Sequence, residues 1–386
     1  MTAAIASGYY ARDDCRIEEF EALIDRQLDP GDVPFAASVN NNIPVYDGPA
    51  LLPVLADKTR CRELFSEWAR VFSELSGALV IRKAVTYPDA LDDANAVFET
   101  IITEERATHS GADHFAKSGA NDRIWNSLQK LCLRDPAVFA RSFANPVVDG
   151  VCAAWLGPGY GMTAQVNLVR PGGEAQVAHR DYHLGFMTVE QAASYPAHMH
   201  VLSPVLTLQG AIAHCDMPIE SGPTKLLPFS QLYGPGYIAC QLDEFRAVFE
   251  QRHVQLPLDK GDGLFFNPAT FHAAGSNTSK DIHRLANLLQ IGSPMGRTLE
   301  ALDRSALARA LYPVLAEADF SPPERAAVIS AATEGYPFPT NLDTDPPVGG
   351  LAPESQAALM TRALDSGMSQ AEFESALAKQ DARKKV

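Results

Sequence analysis

The sequence predicts an α+β chain with a mainly β centre: a jelly-roll, cupin-like antiparallel barrel with a helical N-terminal layer before it and a helical C-terminal extension after it. Three observations carry this. Apolar residues recur at three-to-four spacing from Arg60 to about Leu156, as in Cys61–Phe72 and Asp93–Thr103. From about Met162 to Ile291 the texture changes to short apolar runs broken by Gly, Pro, Asn and Ser, the pattern of many short strands. Helical spacing then resumes through Leu299–Ala316 and Glu354–Ala378. The expected organisation is one domain over residues 1–386, with the helical layer at about 1–157, the β core at about 158–297 and the helical extension at about 298–386.

Along the core, the expected strands are Thr163–Val169, Val205–Ala213, Thr224–Leu227, Val254–Leu256, Gly263–Phe266 and Arg284–Gln290. Gly157-Pro158-Gly159-Tyr160-Gly161 opens the core as a turn; no strand leads into it, so it is not a dinucleotide loop. Gly234-Pro235-Gly236-Tyr237 is a second turn, and Lys260-Gly261-Asp262-Gly263 a third that feeds a buried strand.

Composition removes several function classes. Of 386 residues, 46% are hydrophobic and 20% charged, so the chain folds around a substantial core. A net charge of −15 offers no basic surface for nucleic acid or an anionic membrane. The six cysteines lie far apart, without the short spacings of a zinc knuckle or disulfide scaffold, which suits a reducing compartment. The N-terminus has no signal-peptide pattern and no window reaches a membrane-spanning apolar run, so the expected location is cytoplasmic and the expected partner a small molecule. Oligomeric state is not readable from the sequence.

The chemistry concentrates in His179-Arg180-Asp181. On a strand, residues two apart point out of the same face, so one imidazole and one carboxylate are paired locally. Phe265-Phe266-Asn267-Pro268-Ala269-Thr270-Phe271-His272 offers a second histidine behind an apolar strand. Two histidines and one carboxylate on one face of an octahedral iron(II) form the arrangement of non-haem iron oxygenases. Solvated strand-end residues are the plain alternative, and His198-x-His200 is a rival pair if that segment is a strand. His183 suits a substrate-facing or solvent position, and His214 a strand end. Arg284 opens the apolar run to Ile291; an inward arginine is costly unless it meets an anion, whereas an outward one is an ordinary surface residue.

Together these blocks resemble the phytanoyl-CoA dioxygenase family of iron(II)/2-oxoglutarate oxygenases. The similar elements are His179-x-Asp181, the Ser221–Gln231 turn segment, Gly261-Asp262 through Phe266, and His272, Asn277-x-Ser279 and Arg284, which cover about residues 160–292 in the family's order. The resemblance implies a double-stranded β-helix in which His179, Asp181 and His272 hold iron(II). It implies that 2-oxoglutarate chelates the metal, that Arg284 pairs with its distal carboxylate, and that O2 takes the remaining position. Gln165, Asn167 and Gln209 match residues that line the cosubstrate pocket. The implied outcome is decarboxylation to succinate and CO2 with hydroxylation of a small organic substrate. Three departures stand out: Ala274 where a hydroxyl residue is usual, with Ser276 as substitute; a longer histidine-to-arginine interval, implying a bulge or longer turn near Lys280-Asp281; and Phe229 and Gln231 in place of Gly and His. The presence of Asp181 disfavours halogenation.

Two other classes stay open on the sequence alone: a non-catalytic 2-oxoglutarate or carboxylate sensor on the same barrel, and a cupin-like metalloenzyme using His198 and His200. His109, Asp113, His114, Lys117, Trp125 and Asn126 form the polar-aromatic cluster best placed to meet substrate, with an ordinary solvated loop as the alternative. The acidic balance shows no patch for a CoA polyphosphate.

Overall fold

Two sheets of unequal size carry the site. The computed structural model describes residues 8–108 and 121–385. Its strands are β1 (Ser38–Asn40), β2 (Ile43–Asp47), β3 (Ala78–Arg82), β4 (Asn121–Ile124), β5 (Gly161–Val169), β6 (Thr207–Ala213), β7 (Lys225–Leu227), β8 (Gly263–Phe266), β9 (Phe271–Ala273) and β10 (Arg284–Gly292). Eight join one sheet in the order β1-β2-β3-β8-β6-β10-β5-β4, and β7 pairs with β9 in a small second sheet. All pairings are antiparallel except β2 with β3. This is a mixed jelly-roll-like core with helices, formed as two sheets without a closed ring.

Pattern explains the large sheet. β5, β6 and β10 are buried along almost their whole length, so they read as mostly apolar runs, with Gln165, Asn167, Gln209, Arg284 and Gln290 where the cavity lies. Helix Lys58–Ser73 starts where the Asp57 carboxylate accepts from the Thr59 and Arg60 amides, and it buries Leu64, Trp68, Val71 and Phe72, one face of a 3.6-residue period. Trp155, on helix Pro146–Leu156, donates its indole N–H to Thr207 O at 2.9 Å, fastening that helix to β6. Helices Arg304–Glu317 and Pro322–Ala332 add Leu307, Leu311 and Val328 to the same core.

The helical reading of residues 60–156 holds for four helices after Lys58–Ser73 but misses β3 and β4, and β1 and β2 also come from this N-terminal part. β3 is a run of four apolar residues closed by Arg82 behind the Ser76-Gly77 turn, too short to interrupt a helical pattern; β4 is a polar edge strand. Val254–Leu256 pairs at a single residue, Val254 with Leu226. Residues Ala197–Val205 are helical, so the strand expected from Val205 begins at Thr207. Helix Pro322–Ala332 falls between the two helical runs expected of the C-terminal extension, and Ser321 and Glu324 form its capping box. The Lys260–Gly263 turn is as expected: Gly261 takes φ +90°, and Asp262 accepts from the Lys83 and Asp259 amides and pairs with Arg82, tying β3 to β8. Among the described residues, no helix is long and apolar enough to cross a membrane.

His214, just after β6, is fully buried, with Nδ1 2.6 Å from Asn95 Oδ1. Burial, then the nearby Lys260 charge, holds its pKa down to about 3 from an ordinary 6.5. Its folded pKa lies below the unfolded one, so the unfolded chain takes up the proton first on acidification. The stability it contributes is complete above about pH 6.5 and is lost as pH falls toward 3. Urea midpoints measured across that window should fall less steeply in His214→Gln than in the wild type.

Candidate metal centre

The segment 176–181 is extended and lies beside 268–274 rather than inside a regular strand. Gln176 N donates to Ala274 O at 3.0 Å, His179 and His272 exchange backbone bonds at 3.1 and 3.2 Å, and Asp181 N donates to Pro268 O at 3.0 Å. Alternation sends His179 and Asp181 to one side and Arg180 to the other, as expected of a strand. Arg180 is 2% exposed; Nη2 donates to Ser230 O at 2.5 Å and Tyr233 O at 3.1 Å, and the guanidinium lies over the Tyr237 and Phe271 rings. Gly236 leaves the room it needs, since a Cβ there would lie 1.9 Å from Arg180 Cζ.

The triad is convergent. His179, Asp181 and His272 place one ligand atom each within 4.8 Å of one another. His179 Nε2 lies 3.7 Å from Asp181 Oδ1, and His272 Nε2 3.3 Å from Asp181 Oδ2. Each imidazole is held the same way: Nδ1 donates to a carbonyl two residues earlier, Val177 O or Thr270 O, both at 2.8 Å. That bond fixes the tautomer and turns each Nε2 lone pair toward the carboxylate. Burial, then the neighbouring His272, lowers the His179 pKa, so the ring is neutral at pH 7. Burial alone would raise Asp181, but the two histidines and the Gln209 amide hold its carboxyl below the usual carboxylate range. Three electron-pair donors thus face one point, and a cation there would satisfy all of them. The set can hold a metal ion.

A cavity of about 550 Å3 opens on the triad. Its floor is the face of β5, β6 and β10 presented by alternate residues: Gln165 and Asn167, Gln209, Ala211 and Ala213, then Arg284, Ala286, Leu288 and Gln290. All four residues expected around the cosubstrate therefore reach one space. Arg284 is buried; Nη1 donates to Ser221 O at 3.1 Å and Gly275 O at 3.2 Å, and no carboxylate pairs with it among the described residues. Burial lowers its pKa to about 10, which leaves it a cation at neutral pH. Asn167 Oδ1 is buried without a hydrogen-bond partner. Gln165 is held from both sides, accepting from Arg123 Nη1 at 3.0 Å and donating to Gln290 Oε1 at 3.0 Å. Gln209 donates through Nε2 to Asp181 Oδ2, so it supports a triad member as well as lining the cavity.

Other expectations resolve differently. His198 and His200 sit on a helix, where residues two apart point about 200° apart; His200 is buried with Nε2 3.0 Å from Ala192 O, so no same-face pair forms. His183 Nδ1 meets Ser203 Oγ at 3.1 Å. Ser276 Oγ accepts from the Ala175 amide at 3.0 Å while Ala274 lines the cavity, and residues 274–283 form the longer turn. Trp125 lines the cavity; Asn126 does not, its amide donating to Glu300 at 2.6 Å. His109, Asp113, His114 and Lys117 lie outside the described residues. Arg123, Tyr182 and Gln290 line the cavity unanticipated. The period-2 continuation of Arg284-x-Ala286-x-Leu288 signalled Gln290; nothing comparable signalled Tyr182, whose backbone holds φ +62° and ψ 155°, a region nearly restricted to glycine that costs about 1–3 kcal/mol.

Gly185 closes this corner: a Cβ there would sit 2.0 Å from Arg180 O. Because that contact is backbone, Gly185→Ala should shift the Arg180–Asp181 peptide, lowering the melting temperature and weakening cobalt(II) binding together, both measurable by thermal melts and titration.

Comparison with known proteins follows the geometry. "Dioxygenase trt7" of Aspergillus terreus is 22% identical over 210 residues, 53% of this chain and 66% of that protein, so the match spans slightly under two thirds of its length. Among solved structures, the alpha ketoglutarate dependent epimerase SnoN from nogalamycin biosynthesis is 18% identical with a TM-score of 0.42, covering 60% of this chain and 84% of that one. AviO1 from Streptomyces viridochromogenes is 17% identical with a TM-score of 0.43, covering 62% and 97%. The profile of the phytanoyl-CoA dioxygenase family matches residues 73–286, more than half of the chain, and the chain belongs to that family.

Proposed function

We propose that this protein is an iron(II)- and 2-oxoglutarate-dependent dioxygenase that hydroxylates a small organic substrate in the cavity beside His179, Asp181 and His272. One observation carries the reading: a two-histidine, one-carboxylate set with both Nδ1 atoms already bonded opens onto the same cavity as a buried arginine that has no carboxylate partner among the described residues. The donor set suits iron(II), whose two-histidine, one-carboxylate sites leave positions open for cosubstrate and oxygen. The family and the dioxygenase relative support the same chemistry. With 2-oxoglutarate and O2, bound iron would supply an oxidant for a substrate C–H bond as the cosubstrate is converted to succinate and CO2.

The chain's own residues do the remaining work. Val177 O and Thr270 O hold the imidazoles ready, and Gln209 steadies one carboxylate oxygen of Asp181. Arg284 supplies a preplaced cation for the distal carboxylate of 2-oxoglutarate, and Asn167 Oδ1 and the Gln165 side chain lie along the floor near it. Ala211, Ala286, Leu288 and Phe266 keep that floor apolar and limit competing water. A cytoplasmic setting fits a site that needs reduced iron and the six free thiols.

Conversion of 2-oxoglutarate to succinate, followed by product analysis, should be abolished in His179→Ala; persistent turnover by that variant would sink the assignment. Arg284→Ala should raise the KM for 2-oxoglutarate by at least 30-fold, about 2–5 kcal/mol of lost charge pairing, with a smaller effect on kcat. A sensor would bind 2-oxoglutarate with the same arginine dependence but release no succinate.

A further inference from the structure

The triad stands on one flank of the cavity floor. Gln209, whose Nε2 donates to Asp181 Oδ2, is paired with Phe266 on β8, and the Phe266 and His272 ring centroids are 4.7 Å apart. From there to Arg284 the floor is lined by Ala211, Ala213 and Ala286, a trough of small residues that leaves room for the cosubstrate. Gln290 is paired with Gln209 from the other side and borders the opposite flank, where β5 and β4 bring Gln165, Arg123 and Trp125. Leu299 joins that flank, because the neighbouring Glu300 accepts the Asn126 amide at 2.6 Å.

Three side chains are linked across it. Arg123 Nη1 donates to Gln165 Oε1 at 3.0 Å, and Gln165 Nε2 donates to Gln290 Oε1 at 3.0 Å. A guanidinium only donates, so both amides are oriented: Gln165 turns Oε1 to Arg123 and Nε2 to Gln290, which must answer with Oε1. The atom of Gln290 left for the cavity is Nε2, which has no hydrogen-bond partner among the described residues. The walls around it are apolar, made by Leu288, Trp125 and Leu299. The Arg123 charge is answered within the protein, since the guanidinium lies over the Trp125 ring at 5.1 Å and is close enough to Glu300 to favour its carboxylate form.

We infer that Gln290 is a specificity-determining residue, and that the substrate is a neutral, largely apolar molecule whose carbonyl oxygen accepts from Gln290 Nε2 while its body lies against Trp125, Leu288 and Leu299. The inference rests on the dioxygenase reading proposed above, which assigns the other flank to 2-oxoglutarate. Nε2 needs an acceptor, and a carbonyl supplies one without adding a proton that the apolar walls would leave unmatched. A ligand lacking that oxygen would cover the donor without pairing it, which is how such a site discriminates.

1-Tetralone, a bicyclic ketone, and tetralin, the hydrocarbon without its oxygen, test this in ligand-observed NMR titrations of the full-length protein. The ratio of ketone to hydrocarbon affinity should fall about 3–10-fold in Gln290→Leu, the net contribution of one neutral hydrogen bond. Gln290→Glu keeps the size and the oxygen that accepts from Gln165 but removes the outward N–H, and should lower the ratio at least as far. Taking the ratio within each variant cancels changes in ligand solvation and general packing. Cobalt(II) with 2-oxoglutarate should leave 1-tetralone bound, because the two ligands occupy opposite flanks. An unchanged ratio in both variants, or displacement of 1-tetralone by cobalt(II) and 2-oxoglutarate, would overturn the inference. Failure of the dioxygenase reading shows separately, as 2-oxoglutarate turnover that survives His179→Ala.

Discussion

A buried guanidinium, Arg180, with no carboxylate partner among the described residues fixes this site. Removing a charge from water is expensive, and Arg180 offsets that cost with two backbone carbonyls and the faces of Tyr237 and Phe271. Once Arg180 is committed to that side, the extended backbone leaves His179 and Asp181 one direction only. Neither ligand needs a strong contact of its own to be aimed, because the residue between them is locked. The same lock explains Gly236, whose missing side chain makes the space, and Gly185, whose backbone passes against the Arg180 carbonyl. The aim of the His179–Asp181 pair is therefore a by-product of core packing behind it, set by Ser230, Tyr237 and Phe271.

The cavity follows from a second constraint, the two-residue alternation of β5, β6 and β10. One face of these strands joins the core of Trp68, Phe72, Val151 and Leu307 through residues such as Val166, Ile212 and Ile291. The other face must then present every second residue to the space under the small sheet. Alanines at 211, 213 and 286 keep that space open, and Gln209, Gln165, Asn167 and Arg284 supply its polarity at register-linked positions. A one-residue slip of β10 would remove Arg284, Ala286, Leu288 and Gln290 from the cavity at once. Register, set by nine paired residues against β5, is thus part of the chemistry.

Much of this was legible in the chain. His179-x-Asp181 and His272 could be paired from spacing and an apolar strand, and Arg284 from the cost of an inward charge; all meet one cavity. What escaped was information that only tertiary packing carries. β3 is too short to stand out from helical surroundings, and β4 is polar because it is an edge. The His198-x-His200 pair failed because two-residue spacing means one face on a strand and opposed directions on a helix, and Pro196 followed by mixed apolar residues does not decide between them. Tyr182 escaped for a deeper reason: it lines the cavity in a backbone conformation that local propensity argues against, held by contacts that only the folded chain makes. Gln209 lines the cavity, while its bond to Asp181 depends on β6 passing beside a segment 28 residues earlier.

Burial at the triad serves two ends that pull together at neutral pH. It lowers the proton affinity of His179, assisted by the nearby His272, so the ring is a neutral ligand where an exposed histidine would be partly charged. A carbonyl on each Nδ1 then decides which nitrogen carries the remaining proton, and Nε2 is left as donor of an electron pair. With Asp181 kept ionised by its neighbours, three acceptors converge in a space that water alone would stabilise poorly. A cation placed at that point would offset the unfavourable electrostatics of three converging acceptors. In a chain of net charge −15 that attraction is local, made by the geometry of three side chains and the peptide groups that aim them.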